Sequence, residues 1–302
     1  MNWDVAHRLA SIAAVQAHRD LRIDRDEYVD VHAALQEAGV VGMARPMPRL
    51  FGMYFSPQDN GPAVLLNANL DIVTQRHTAA HELGHHRLQH DTAFDKDLDR
   101  TARWGDGSWS DEEKTAEAFA AWFLMPPPAV RSALGRIGID RPRLPEHAYQ
   151  VARWLGTSYA GTVNHLHRLK LLTQAQKTAW LKAKPAAIKA SLLRGLVSNK
   201  VHVHVIGMAA HGATVRVEVG DLVVLWDTNA HFEMLPDVLL SADNSEGQVL
   251  WGEGSSAVAA EVTDALRSTA VVTVRVPGAA DLLEFTVARQ SPRRGVQDLW
   301  SI

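Results

Sequence analysis

The chain is 302 residues long, 46% apolar and 22% charged, with a formal net charge of −3 when its 15 histidines are counted as neutral. That length suits one large core or roughly two to three smaller domains, and the composition is that of a globular chain rather than a disordered one. There is no basic excess for a wide grip on nucleic acid, and the lack of cysteine excludes disulfides, thiolate metal sites and a cysteine nucleophile.

Residues 1–45 read as two helices. Asn2 to Arg19 sets Val5, Leu9, Ile12, Ala13 and Val15 roughly on one stripe, and Asp24 to Ala38 carries Tyr28, Val31 and Leu35 before Gly39 stops it. The first stretch is charged throughout, unlike a signal peptide. No apolar run of about 18 residues suits a membrane span, so the cytoplasm is the expected compartment. Val40 to Phe55, broken by Pro46, Pro48 and Gly52, predicts short strands, and Ala63–Asn67 predicts a strand after a QDNGP turn.

Thr74 to His90 predicts a helix, and the aspartate-rich residues 91–111 a loop. Asp111 to Leu124 predicts an apolar helix stopped by Pro126-Pro127-Pro128, and Ala129 to Gly138 a further helical segment. Glu146 to Leu172, turning at Gly156, reads as helix-turn-helix-like, and Thr173 to Leu193 as one more helix. From about Asn199 the period changes from 3.6 to 2. VHVHVIGM, TVRVEV, DLVVLWDT, VVTVRV and LLEFTVARQ read as strands, with helical signal only near Ala257–Arg267. A boundary is therefore expected at about residue 197.

The strongest chemical signal is HELGH at His81–His85. Helix positions four apart share a face about 6 Å apart, so two imidazoles there can share one Zn²⁺ at about 2.0–2.1 Å each. Glu82, one position on, can take a proton from a water that the ion polarises. With 15 histidines, a chance match is the competing reading. The motif's place on a helical stretch directly after an apolar strand favours the metal site. Without cysteine the ligands must be histidines and carboxylates, which suits catalytic rather than structural zinc.

A third ligand is needed. Asp91 lies ten residues after His81, but that arrangement needs a glycine where Leu88 stands. Glu113 heads the helix DEEKTAEAFAAWFLMP, whose Ala116, Phe119, Ala120 and Phe123 form an apolar face able to pack on the HELGH helix. Glu113 shares its face with Ala116, Glu117 and Ala120, and Glu112 shares its face with Ala116 and Phe119, so phase alone does not choose. A glutamate at a helix start is also an ordinary solvated residue. Glu117 is a candidate for orienting a ligand imidazole.

LLNANLDIVTQRHTAAHELGHHRLQH followed by EEKTAEAFAAWFLMP resembles the ImmA/IrrE family of metallo-endopeptidases. The family shows an apolar strand ending in Asn, an arginine and a threonine before HELGH, and then E-x-E-A-N-x-F-A-x-x-L-L-M-P. Fitting its FA and MP to Phe119-Ala120 and Met125-Pro126 puts the leading Glu at Glu113. The sequence departs from the pattern at Thr115, where a second Glu is usual, at Glu117, where Asn is usual, and at Trp122-Phe123-Leu124. The resemblance covers about residues 1–175. The expected chain is α+β: the resemblance implies a zincin-like peptidase domain at 1–140 followed by a helical helix-turn-helix-like module at 141–197, and the change to period 2, which the resemblance does not reach, predicts a β-rich recognition or regulatory domain at 198–302. The resemblance also implies a gluzincin-type site, with His81, His85 and Glu113 on Zn²⁺ (or Mn²⁺) and Glu82 as the base. The implied substrate is a helix-turn-helix transcriptional repressor in a stress-response, mobile-element or toxin–antitoxin system.

Other features read as structural. The helix-turn-helix-like stretch has only Arg168 and Lys170 near its second helix, so packing is favoured over DNA reading. His202 and His204 suit the polar face of a half-buried strand. His86 points off the metal face, and His90 is expected near solvent at the helix end. Tyr159 and His165 are candidates for a second oxyanion donor. Two rival readings are a DNA-binding regulator or ligand sensor that does not need proteolysis, and a module whose β-rich part binds a partner. Against a degenerate enzyme stands the intact Glu82, which a pure binder does not need.

Overall fold

The computed structural model describes residues 1–48, 50–94, 109–193, 201–225, 230–241, 258–290 and 297–298. Most of the aspartate-rich loop and the expected boundary near residue 197 lie outside these. The chain is α+β and divides into two compact units. The first is Met1–Ala129 with Leu155–Ser158 and Ser291–Ile302, and the second is Val130–Trp154 with Tyr159–Gln290. No helix among the described residues is long and apolar enough to cross a membrane.

In the first unit, helix α1 (Trp3–Asp20) starts at Asn2, whose side chain accepts from the Val5 amide. Its buried face is made of the small residues Ala6, Ala10, Ala14 and Ala17, which permit close packing on a later helix. Helix α2 covers only Val31–Glu37, because Asp30 caps it through the amides of His32 and Ala33. The longer helix expected from Asp24 therefore begins with a turn closed by Asp24 on the Asp26 amide. Strands β1 (Val41–Arg45), β2 (Gly52–Phe55) and β3 (Ala63–Asn67) follow, then helix α3 (Ile72–Arg87) and the short strand β4 (Ala93–Phe94). The sheet order is β13-β1-β3-β2-β4, with β13 being Gln297–Asp298. β1 pairs in parallel with β3 and β13, while β2 runs antiparallel to β3 and β4.

Asn67 ends β3 and fixes what comes before it. Its buried side chain accepts from the Met47 and Asn69 amides and donates to the Met47 and Leu50 carbonyls. It thereby holds the β1–β2 connection, which delivers Gly52 to α3. Helix α4 (Asp111–Leu124) begins where Ser110 accepts from the Glu113 amide and ends at the prolines. Its buried Ala116, Phe119, Ala120 and Phe123 form the expected apolar face, and it packs on both α1 and α3.

The second unit holds most of α5 (Pro127–Ile137) and α6 (Pro145–Leu155), with α7 (Tyr159–Arg168), α8 (Gln174–Leu181) and α9 (Pro185–Leu193). The single helix expected over Thr173–Leu193 is two, because Pro185 starts a new one. Two four-stranded sheets follow. One is β5 (Val203–Val205), β7 (Leu222–Leu225), β10 (Val258–Val262) and β9 (Leu239–Ser241) in that order. The other is β6 (Thr214–Val217), β12 (Leu283–Arg289), β11 (Thr269–Arg275) and β8 (His231–Met234). Helical signal at Ala257–Arg267 is overridden: Val258–Val262 pairs with β7 and β9.

Candidate metal centre

Helix α3 is buried almost all round, from Thr74 to Gln75, Arg76 and Thr78 through His85. Such a helix must satisfy its polar side chains internally. Arg76 does so by donating to the carbonyls of Val29 and Gly156 at 2.9 and 3.1 Å, with its guanidinium 3.8 Å from the centre of the Tyr28 ring. Asp71 caps the helix start on the Thr74 amide.

One turn apart on α3, the imidazoles of His81 and His85 bring their Nε2 atoms to 3.1 Å. Glu113, at the first turn of α4, sets Oε2 3.2 Å from His81 Nε2 and Oε1 3.5 Å from His85 Nε2. Among the described residues this is the one group of three whose ligand atoms all lie within 4.8 Å of one another. Tetrahedral Zn²⁺ with ligands at about 2.0–2.1 Å separates neighbouring ligand atoms by about 3.3 Å, and the three observed spacings bracket that value. The donor set of two histidines and a carboxylate is that of a catalytic rather than a structural zinc site. The residues fit the ion.

The helices meet this closely because of Gly84. A Cβ there would lie 3.0 Å from the Phe119 ring and 3.2 Å from the Ala116 backbone. A second glycine acts on Glu82. A Cβ at Gly52 would lie 2.6 Å from Thr78 Cγ2 and 2.8 Å from Glu82 Oε1, so β2 crosses α3 directly on the buried Glu82 carboxyl. Neither role is visible from the motif spacing; the only hint is a glycine inside each element, which marks a close approach.

The outer sides of the ligands are also held. Glu117 receives His77 Nε2 at 3.0 and 3.1 Å and stands 3.4 Å from His81 Nδ1. The latter is an ion-pair distance, somewhat long for a good hydrogen bond. Burial pulls His85 down to about 3, aided by the charge at His81. That ring is neutral and ready to accept a cation. In His81 burial works against the charge, but hydrogen bonds to Glu113 and Glu117, with the charge of Glu82, hold it well above the ordinary histidine value. Burial would raise Glu117, yet His77 and His81 hold it well below the carboxylate range. The carboxylates thus keep a positive charge at the centre of the group, which is what a divalent cation supplies.

Glu112 and Asp91, the rivals for third ligand, are exposed and outside this group. His86 turns to the Tyr54 hydroxyl at 3.1 Å, off the metal face as expected. His90 does not run out to solvent. It is half-buried, with Nδ1 3.0 Å from His85 Nδ1. The Tyr159 hydroxyl donates to the Trp180 carbonyl at 2.9 Å within the second unit, so it is committed there.

A family model described as Peptidase M78, IrrE N-terminal-like domain, matches residues 49–160. The match runs from just before β2 to the start of α7 and contains the whole histidine–glutamate group. No curated protein matches the chain. Among solved structures, the chain is similar to the crystal structure of the cysteine protease inhibitor EhICP2 from Entamoeba histolytica. The identity is 13% and the TM-score 0.23, over 31% of this chain and 100% of that one, a likeness too slight to carry any argument.

Proposed function

We propose, from the match of residues 49–160 to the IrrE N-terminal-like domain of the ImmA/IrrE peptidases, that this chain is a zinc-dependent, site-specific endopeptidase. His81, His85 and Glu113 would hold the ion, with Mn²⁺ as the other candidate. The observation that carries the reading is the tetrahedral spacing of these three ligands beside a buried glutamate, 1% exposed.

When bound, the ion supplies Lewis acidity, acidifying a water and polarising the scissile carbonyl. Glu82, held under Gly52, takes the water's proton on its carboxylate and delivers it to the leaving amine. A neutral His81 would keep its one proton on Nδ1, the side facing the Glu117 carboxylate 3.4 Å away, and turn its Nε2 lone pair inward. The substrate on this reading is a protein. Family resemblance makes it a helix-turn-helix repressor in a stress-response, mobile-element or toxin–antitoxin system.

We read residues 198–302 as the part that recognises or regulates, because the described strands there carry no metal triplet. An uncut substrate added to the Glu82→Gln protein should slow hydrogen exchange somewhere in 203–290. Protection confined to the first unit would remove this role.

The main test is direct. Protein loaded with Zn²⁺ should hold about one ion per chain and cut a protein-derived peptide library, read by mass spectrometry. Glu82→Gln should keep the ion and cut about 10²–10⁴-fold more slowly. A variant that cuts at the wild-type rate defeats the proposed base.

A further inference from the structure

The helix that carries both histidine ligands ends in a way that places a third histidine behind one of them. α3 stops at Arg87. Gln89 then turns left-handed, with φ at 58°, and the chain doubles back. The Leu88 amide donates to the Gly84 carbonyl at 2.9 Å, and the His90 amide donates to the His85 carbonyl at 3.0 Å. The second bond is the six-to-one closure of a Schellman turn. It stands the His90 ring against the His85 ring, with centroids 5.0 Å apart at 71°.

The tautomers follow from the partners. His85 can offer Nε2 toward Glu113 and His81 only if its proton sits on Nδ1. That Nδ1–H faces His90 Nδ1 at 3.0 Å, so His90 Nδ1 must accept and its own proton must sit on Nε2. His90 Nε2 in turn points at Thr115 Oγ1, 3.5 Å away. The Thr115 hydroxyl donates to the carbonyls of Asp111 and Glu112 at 3.0 and 2.9 Å, which turns a lone pair toward His90. A chain of donors therefore runs from the ring of His85 through His90 and Thr115 to backbone carbonyls at the start of α4.

We propose that His90 is a positioning residue that fixes the tautomer and orientation of His85 for metal binding, in the place that the Glu117 carboxylate takes behind His81. This rests on the metal-site reading above. The two ligand rings are then backed unequally, one by an anion and one by a neutral ring. Removing an outer partner of a ligating histidine typically costs about 10–100-fold in metal affinity.

The test measures Zn²⁺ affinity of the full chain by competition with a chelator, and the visible absorption of the Co²⁺-loaded protein. His90→Phe and His90→Ala should each weaken Zn²⁺ binding by about 10–100-fold and alter the Co²⁺ bands, with the metal-free thermal midpoint near wild type. His90→Asn, whose Oδ1 replaces the accepting nitrogen, should recover most of the affinity. Gln89→Gly, which suits the left-handed turn, should leave affinity unchanged. Wild-type affinity and an unaltered Co²⁺ spectrum in both His90→Phe and His90→Ala overturn the proposal. A wild-type chain that binds neither ion overturns the metal site itself, a separate and distinguishable outcome.

Discussion

Two buried histidine–carboxylate clusters can be compared, one in each unit. In the first, His81 and His85 come from one helix face and Glu113 gives one oxygen to each ring. In the second, His202 and His204 lie two apart at the start of β5, and Asp221 heads β7. Asp221 accepts from the amides of His202 and Glu218 at 3.0 and 2.9 Å and pairs with His204 Nε2 at 3.1 Å. His202 Nε2 is 4.0 Å from Glu218. Composition is nearly the same, but the carboxylates differ in their work. One turns its two oxygens to two imidazoles and gathers their nitrogens to a point. The other ties down backbone amides, so it stabilises a turn and gathers no metal triplet. A carboxylate's backbone commitments separate a ligand from a brace.

The comparison breaks most completely at His81. His81→Ala should abolish bound metal, from about one ion per chain to none by elemental analysis, and metal retained in full would remove the helical pair from the site. Next is the third ligand. Glu113→Gln should weaken Zn²⁺ binding at least about 10-fold, while Asp91→Asn should leave it unchanged. The reverse pattern would mean that the exposed aspartate is the ligand.

Gly52→Ala sharpens the contrast between holding metal and moving a proton. The added methyl meets Glu82 and Thr78, so peptide cutting should fall about 10-fold or more while Zn²⁺ affinity stays near wild type. Unchanged cutting would show that β2 leaves Glu82 unconstrained. The smallest effect belongs to the other cluster. Burial would raise Asp221, but the hydrogen bond and charge of His204, with the Glu218 amide, bring it from 3.8 to about 2. A depressed carboxylate lends stability that is present above its unfolded value and is lost as pH falls through 3.8 toward about 2. Asp221→Asn should therefore cost on the order of 2 kcal/mol at neutral pH, flatten the acid limb of a denaturant series, and leave metal binding untouched.

What could be read in advance was local. The α4 helix was legible to the residue because Ser110 caps it and prolines stop it, and β3 because AVLLN sits between turn signals. The choice of Glu113, which the structure brings to His81 and His85, needed the family pattern as well as helical phase. What escaped was set by distant partners. Val258–Val262 reads as helical from its alanines, yet pairing with β7 makes it a strand. β13 exists by joining β1 across the length of the chain. The return of His90 depends on a left-handed Gln89, a conformation that glutamine does not advertise.

The all-round burial of α3 has a consequence for time as well as shape. With little of its surface toward water, and with Arg76 tied to carbonyls of Val29 and Gly156, this helix has no easy local opening. Its amides around His81–His85 should be among the slowest in the first unit to exchange with deuterium, requiring near-global unfolding. The grouping of His81 and His85 with Glu113 then lasts as long as the unit itself stays folded.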